Sequence, residues 1–121
     1  MKQCLVVDDS RVIRKIARKI LESLRFTIEE AEDAVSALDI CRRTMPDAIL
    51  LDANLASSSG LEFLWALRRE PAGANPVVVL CMNEKDISQL TEAVNAGAND
   101  YLMKPFDRDA LEVKFAEAGL L

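Results

Sequence analysis

The chain has 121 residues, of which half are apolar and 29% are charged, the balance of an ordinary soluble domain. This length suffices for one hydrophobic core but not for two, so residues 1–121 are expected to form a single domain. The net charge of −5 argues against general nucleic-acid affinity, and the longest apolar runs are only strand-sized, so no membrane span is predicted. The sequence contains no histidine, which excludes Ser-His and Cys-His catalysis and any phosphohistidine carrier role.

Three cysteines, Cys4, Cys41 and Cys81, are scattered among apolar neighbours. Their odd number and their spacing favour buried free thiols in a reducing compartment over disulfides or metal ligands. No signal-peptide pattern precedes the first strand-like run, so we expect a cytoplasmic protein.

The first predicted strand covers residues 4–7, an uninterrupted apolar run that is typical of a strand buried on both faces. The helix after it has one apolar stripe, formed by Val12, Ile13, Ile16, Ala17, Ile20, Leu21 and Leu24. Its other face is basic and carries Arg11, Arg14, Lys15, Arg18 and Lys19.

The same alternation continues to the end of the chain. The remaining segments, in order, are an edge strand at 27–31, a helix at 33–43 with Asp33 as its N-cap, a buried strand at 48–51, a helix at 59–69, a buried strand at 77–80, a helix at 86–95, a short strand at 100–103 and a helix at 107–118. Gly97 is placed to end the fourth helix in a left-handed turn.

Five strands alternating with five helices predict an α/β fold with a parallel sheet and helices on both faces. Right-handed crossovers leave few topologies, and the flavodoxin-like strand order 2-1-3-4-5 is the leading one. In such a sheet the ligand site lies at the carboxyl ends of the strands, where the order reverses between strands 1 and 3.

Charged residues follow three of these strands directly. Asp8 and Asp9 follow strand 1, Asp52 follows strand 3, and Lys104 with Pro105 follows strand 5. Three carboxylates placed together would repel one another unless a cation intervened, and oxygen-only ligands suit Mg²⁺. One carboxylate could then act as the nucleophile toward a phosphoryl group, with Lys104 reaching a phosphoryl oxygen. The alternative is that these charged residues are only helix caps and loop charges. Separately, the Lys104–Pro105 peptide bond is a candidate for the cis form, because proline lowers the cost of that form.

Three stretches of the chain, residues 5–11, residues 49–52 with Gly60 downstream, and residues 96–106, resemble the receiver domains of two-component response regulators. The chain is similar to the stand-alone chemotaxis regulators of that family, and the resemblance covers essentially its whole length. It implies that Asp52 is the phosphoacceptor, that Asp8 and Asp9 hold Mg²⁺ together with the backbone carbonyl of Asn54, and that Lys104 binds the phosphoryl group.

The resemblance also implies partners. A histidine kinase or a histidine phosphotransfer protein would be the donor, and it would dock on the basic residues of helix 1, which are Arg11, Arg14, Lys15 and Arg18. An output protein would bind the face formed by helix 4, strand 5 and helix 5. Because the sequence ends just after helix 5, we expect no DNA-binding output domain.

Five features depart from the family pattern or concern its switch. Met82 stands where the family usually has Thr or Ser, and methionine cannot donate a hydrogen bond to a phosphoryl group. Asn83 stands where a small residue is usual, the usual Met-Pro after the phosphoacceptor is absent, and residues 57–59 form a serine run. Tyr101 resembles the aromatic residue whose position reports activation. We therefore expect intact acceptor chemistry but impaired switching. The amide of Asn83 either replaces the missing donor or only crowds the entrance to the site.

Three alternatives stay open. The chain could be a degenerate receiver that binds partners constitutively or acts as a phosphate sink. It could be a Mg²⁺-dependent aspartyl-phosphate phosphatase, although Asn54 stands where such enzymes have a second acid. It could be a flavodoxin-like FMN carrier, although Asp8 and Asp9 would repel the cofactor phosphate. We expect a phosphoryl acceptor and not a turnover enzyme.

Overall fold

The computed structural model describes residues 1–55 and 59–121. The strands are β1 (Gln3–Val7), β2 (Thr27–Ala31), β3 (Ala48–Asp52), β4 (Val77–Met82) and β5 (Asp100–Met103). The helices are α1 (Arg11–Ser23), α2 (Ala34–Arg43), α3 (Gly60–Arg69), α4 (Leu90–Ala96) and α5 (Arg108–Glu117), and a 3₁₀ segment (Glu84–Gln89) precedes α4.

The strands form one parallel sheet in the order β2-β1-β3-β4-β5, which confirms the predicted fold class and topology. β1 pairs with β2 on one side and with β3 on the other, so the order reverses beside β1, as predicted. β3 is buried along its whole length, because it lies in the middle of the sheet with helices on both faces.

Alternate residues of the strands supply two cores. On one face, side chains such as Leu5 and Leu51 pack with the buried residues of α2, α3 and α4. On the other face, side chains such as Val6 and Leu50 pack with those of α1 and α5. This two-sided burial explains why the central strands are continuous apolar runs and not alternating ones.

The helix ends largely follow the predicted signals. Asp33 caps α2 by accepting a hydrogen bond from the Ser36 N–H, and Asp107 caps α5 in the same way from the Ala110 N–H. Gly97 ends α4 with φ 110°, in the left-handed region expected of it.

The start of the fourth helix was predicted wrongly. Residues 86–89 belong to the 3₁₀ segment, and the α-helix begins at Leu90. The Asp86 N–H donates to the Asn83 carbonyl at 2.9 Å, three residues back, which is the tighter 3₁₀ spacing. This tighter winding places the Asp86 side chain in the interior, where it is 3% exposed.

The apolar stripe of α1 is wider than the surface that its neighbours cover. Ala17 and Leu21 are fully buried, as predicted, but Val12 is 66% exposed and Ile16 is 45% exposed. Sequence periodicity shows which residues share a helix face, yet burial depends on where the sheet ends beneath that face. The part of α1 nearest the carboxyl ends of the strands therefore presents apolar groups to solvent.

The three cysteines are buried and free, as predicted. Burial raises the pKa of the Cys4 thiol to about 12 and that of the Cys41 thiol to about 11, so neither is a thiolate near neutral pH. Among the helices of the described residues, none combines the length and the apolar run that a bilayer crossing requires.

Candidate functional site

The ends of β1 and β3 bring three carboxylates together, as the sequence predicts. Asp8 and Asp9 directly follow β1, and Asp52 is the last residue of β3. One oxygen from each carboxylate lies within 4.8 Å of the others. Asp8 and Asp52 are only 3% and 5% exposed, whereas Asp9 lies at the open side of the group. We call these three residues the acid pocket.

Lys104 completes the pocket from the end of β5. Its Nζ lies 3.0 Å from Asp8 Oδ2 and 3.0 Å from Asp52 Oδ1, so one ammonium group bridges two buried carboxylates. The Lys104 backbone N–H donates to the Met82 carbonyl at 2.8 Å, which fixes the residue at the end of β4. The Lys104–Pro105 peptide bond is cis.

The charges in the pocket do not balance. Burial raises the pKa of the Asp52 carboxyl, and the neighbouring charge of Asp8 raises it further, more than the contact with Lys104 lowers it. Burial alone would lower the pKa of Lys104, but its bonds to Asp8 and Asp52 outweigh that effect and raise it. Lys104 therefore stays charged at neutral pH and leaves the pocket negative, which favours binding of a cation.

The loop after β3 is held close to the acid pocket. The Asn54 N–H donates to Asp52 Oδ1 at 3.3 Å, and the Gly60 N–H donates to the Ala53 carbonyl at 2.9 Å. A Cβ at Gly60 would lie 2.3 Å from the Asp52 carbonyl oxygen, so the closeness of α3 to β3 requires glycine there. In the predicted serine run, Ser59 caps α3, while Ser57 and Ser58 lie outside the described residues.

One buried group near this loop was missed by the sequence analysis. Asp86 accepts a hydrogen bond from the Asn54 side-chain amide at 2.5 Å and another from the Asn83 N–H at 2.9 Å. An acid three residues after an Asn at a helix start is a capping pattern, and this signal could have placed Asp86 at the turn. The link to Asn54 joins residues 32 positions apart, and no local pattern predicts it.

The residues proposed for the switch lie around the end of β4. Met82 ends the strand, is 0% exposed and pairs with Met103 of β5. Its side chain fills interior volume and offers no donor. Asn83 contributes its backbone N–H to Asp86. The roles of Met82 and Asn83 in switching stay predictions.

Tyr101 lies half-buried on β5 beside α5. Lys114 Nζ lies 4.9 Å from the centre of its ring and 3.1 Å from Asp100 Oδ1, so a cation–π contact and an ion pair together hold the ring on that side. A cavity of about 230 Å³ between α4 and β5 is lined in part by Leu80, Leu90 and Tyr101. The Tyr101 ring therefore borders this cavity on its α4 side.

The basic face of α1 divides into two groups. Arg14 and Arg18 bind the two carboxylate oxygens of Glu30 on β2, with N–O distances of 3.0 and 2.6 Å. Burial would raise the pKa of Glu30, but these two arginines lower it below its usual value. Arg11 and Lys15 are exposed. Of the four residues predicted to dock a partner, two are thus already engaged in holding α1 to the sheet.

The donor set fits Mg²⁺. Mg²⁺ prefers oxygen ligands, keeps several waters and is usually held by one or two carboxylates. The pocket offers buried oxygens from Asp8 and Asp52, the more exposed Asp9 toward solvent, and a surplus of negative charge. The contribution of the Asn54 backbone carbonyl to such a site stays a prediction.

Comparison with known proteins agrees with this geometry. The family model described as the response regulator receiver domain matches residues 4–116. The chain therefore belongs to the response regulator receiver domain family, which serves two-component signalling systems.

Relatives of two lengths match the chain. The response regulator MprA of Mycobacterium sp. (strain KMS) is 37% identical over 107 residues, which cover 88% of this chain and 46% of that protein. The chain thus spans about half the length of the first relatives that it matches. The chemotaxis protein CheY of Halobacterium salinarum is 32% identical over 110 residues, which cover 91% of this chain and 90% of that protein.

Solved structures share the fold over the full length of the domain. The chemotaxis response regulator CheY4 of Vibrio cholerae superposes with a TM-score of 0.91 at 27% sequence identity, covering 97% of this chain and 98% of that one. The chain is thus similar to chemotaxis regulators in both sequence and structure, as the sequence analysis expected.

Proposed function

We propose that the chain accepts a phosphoryl group on Asp52 from the phosphohistidine of a histidine kinase or phosphotransfer protein, in a Mg²⁺-dependent reaction. The observation that carries the proposal is the position of the Asp52 carboxylate, at a strand end, 3.0 Å from Lys104 and within 4.8 Å of two other acids. Membership of the receiver domain family supports the same role.

In the proposed step, a carboxylate oxygen of Asp52 attacks phosphorus in line with the donor nitrogen. A P–O bond forms, the P–N bond breaks, and its electron pair stays on the histidine nitrogen. Lys104 neutralises charge on a phosphoryl oxygen, for which the contact with Asp52 already places it.

Asp8, Asp9, Asp52 and the Asn54 carbonyl would hold the metal ion. When bound, Mg²⁺ supplies the positive charge that offsets both the carboxylates and the incoming phosphoryl oxygens. The acid pocket supports this assignment, because two of its carboxylates are buried and Lys104 is the cation that lies between them.

We further propose that the donor docks on the exposed part of α1. Arg11 and Lys15 lie there beside the exposed apolar side chains of Val12 and Ile16. A partner with acidic and apolar groups would complement this surface. Arg14 and Arg18, which the sequence analysis included, are bound to Glu30 and contribute less. An output protein would bind the face formed by α4, β5 and α5.

We also propose a cytoplasmic location, which the three free buried thiols suit.

One alternative within the family is favoured by a specific observation. Met82 is fully buried and offers no donor at the end of β4, so phosphorylation could occur without changing partner binding. The chain would then be a degenerate receiver that binds its partner constitutively or acts as a sink for phosphoryl groups from the donor protein. Equal affinity for a partner with and without phosphorylation would support this alternative.

The phosphatase alternative lacks its second acid. Asn54 stands two residues after Asp52, and its side chain donates to Asp86. We propose that the chain is an acceptor and not a turnover enzyme. Sustained Mg²⁺-dependent release of phosphate from p-nitrophenyl phosphate would contradict this.

The test of the main proposal is incubation with Mg²⁺ and acetyl phosphate, followed by intact mass measurement. We expect a gain of one phosphoryl group that requires Mg²⁺ and disappears in Asp52→Ala. Asp39→Ala, which changes an exposed acid of α2, serves as the control and should label like the parent. Equal labelling of Asp52→Ala would refute the assignment.

A further inference from the structure

Asp86 is a buried carboxylate that the proposed reaction does not use. Among the described residues, Asp8, Asp52 and Asp86 are the buried acids, and the first two belong to the acid pocket. Burying a carboxylate is unfavourable unless hydrogen bonds replace its lost water. Asp86 receives such bonds from two neutral donors, the Asn83 N–H and the Asn54 side-chain amide. The question is why one of these donors is local and the other comes from a distant loop.

Capping of the 3₁₀ segment explains only one of them. The bond from the Asn83 N–H spans three residues and is the local half of a capping arrangement. The bond from Asn54 spans 32 residues and comes from a side chain that is otherwise exposed on the loop after β3. Fixing an exposed Asn costs rotamer entropy, which a local cap does not require. The second bond connects two loops.

Asn54, directly after β3, contacts the acid pocket, and Asp86, after β4, contacts Asn54. Asn54 donates its backbone N–H to Asp52 Oδ1 and its side-chain amide to Asp86 Oδ1. Asp86 in turn accepts from the Asn83 N–H, directly after Met82. A continuous line of hydrogen bonds therefore runs from the Asp52 carboxylate to the 3₁₀ segment and bypasses the Met82 side chain.

We propose that Asp86 is a positioning residue that holds Asn54 against the acid pocket and couples occupancy of the pocket to the 3₁₀ segment, Glu84–Gln89. The inference rests on the proposed Mg²⁺ site. It assigns Asn54 a second role, through its side chain, besides the backbone carbonyl contact. It also gives this chain a path to α4 that needs no hydroxyl at residue 82.

The test follows backbone amide chemical shifts during a MgCl₂ titration of the parent, Asn54→Ala and Asp86→Ala. In the parent, we expect shifts both at the pocket residues, Asp8, Asp9 and Ala53, and at residues 84–89. Asn54→Ala keeps its backbone carbonyl and N–H, so its pocket amides should still titrate, with an affinity lower by about tenfold. Its shifts at residues 84–89 should largely disappear.

Asn75→Ala is the matched control, because Asn75 is an exposed Asn in the loop before β4. It should titrate like the parent in both regions. The double variant Asn54→Ala/Asp86→Ala should bind Mg²⁺ no more weakly than Asp86→Ala alone, since both changes remove the same bond. Because Asn54 is exposed, Asn54→Ala tests the coupling even if Asp86→Ala folds poorly.

The possible failures differ in their patterns. If the pocket amides of Asn54→Ala titrate and its residues 84–89 shift as much as in the parent, Asp86 is only a local cap and the inference is wrong. If the pocket amides of the parent do not respond to Mg²⁺ at all, both the metal site and the coupling are wrong.

Discussion

The two halves of the strand-end site both contain buried side chains but are chemically opposite. At the ends of β1, β3 and β5, Asp8, Asp52 and Lys104 form a compact charged group with 3.0 Å contacts. At the end of β4, the interior position is taken by Met82, a side chain that is 0% exposed and has no hydrogen to donate. One half presents the charges that the proposed metal ion and phosphoryl group would contact, and the other is packed like a core.

This difference separates two abilities that receivers combine. The proposed acceptor chemistry would use a nucleophile, a cation site and Lys104, and all three lie on the charged half. Reporting the arrival of the phosphoryl group would need a group that interacts differently with the phosphorylated and free states. Met82 offers no such hydrogen bond, so we propose that any such signal passes through Asn54 and Asp86.

The largest expected effect comes from Gly60→Ala, which disturbs the charged half by a clash with the backbone of Asp52. The new Cβ would lie 2.3 Å from the Asp52 carbonyl oxygen, so the loop after β3 must move. We expect a loss of about 3 kcal/mol in the free energy of unfolding. Displacement of Asp52 by about 1 Å should slow labelling by acetyl phosphate on the order of a hundredfold.

Gly119→Ala is the control for this change. Gly119 has φ 80° and nothing within 4 Å of a built Cβ, so an alanine there introduces conformational strain without a clash. We expect a cost of roughly 1 kcal/mol and unchanged labelling. If Gly60→Ala labels as fast as Gly119→Ala, the loop after β3 does not control the position of Asp52.

Met82→Thr tests the packed half. A hydrogen bond from the new hydroxyl to a phosphoryl group is worth about 1.5–3 kcal/mol, which corresponds to roughly ten- to a hundredfold in the equilibrium between two states. Taking the Mg²⁺-saturated protein as the reference, we expect beryllofluoride to cause small further amide shifts at residues 84–106 in the parent and larger ones in Met82→Thr. Far-ultraviolet circular dichroism should first show that the variant folds, because it loses buried apolar surface.

Met45→Thr provides the comparison for Met82→Thr. Met45 is partly buried against the same core but follows α2, away from the acid pocket. It should leave the beryllofluoride response unchanged. Shifts at residues 84–106 that are already as large in the parent as in Met82→Thr would show that this chain switches without the hydroxyl.

A smaller effect is expected for Asp9→Asn, which removes a charged group from the open side of the pocket, where we propose that it binds the metal ion. Mg²⁺ affinity, followed by amide shifts or by Trp65 and Tyr101 fluorescence, should fall by about tenfold. Glu84→Gln removes an equally exposed acid on the packed half and should change the affinity far less. If Asp9→Asn titrates like the parent, the metal site is misplaced.

The charged half was predictable because its residues directly follow apolar runs. In a parallel sheet the ends of such runs meet at one edge, so the sequence alone places Asp8, Asp52 and Lys104 together. The packed half was less predictable. The contact between Asn54 and Asp86 joins two loops that are 32 residues apart, and only the folded chain brings them together.

Helix α1 shows a second limit of sequence patterns. The sequence predicted its apolar stripe and its basic face correctly. It did not predict which residues of each face contact the rest of the protein. Val12 and Ile16 extend beyond the sheet, and Glu30 of β2 binds Arg14 and Arg18. Coverage and pairing of this kind depend on the exact position of a helix on its sheet, which periodicity does not encode.

The smallest expected effect, and the most direct measure of charge imbalance, comes from Asp52→Asn without Mg²⁺. Burial and Asp8 raise the pKa of Asp52 in the folded protein above its unfolded value. Its contribution to stability is therefore complete below the unfolded pKa and is lost as the pH rises through the folded pKa. At pH 7 the ionised carboxylate opposes folding, while Lys104 keeps its 3.0 Å contact with Asp8 in the variant. We expect urea unfolding at pH 7 to show Asp52→Asn about 0.5–2 kcal/mol more stable than the parent, with the difference shrinking as the pH falls.

Asp39→Asn, an exposed control, should stay within about 0.5 kcal/mol of the parent at every pH. A parent more stable than Asp52→Asn at pH 7 would mean that the ion pair with Lys104 outweighs burial and repulsion, and that the pocket does not need a metal ion to balance its charge.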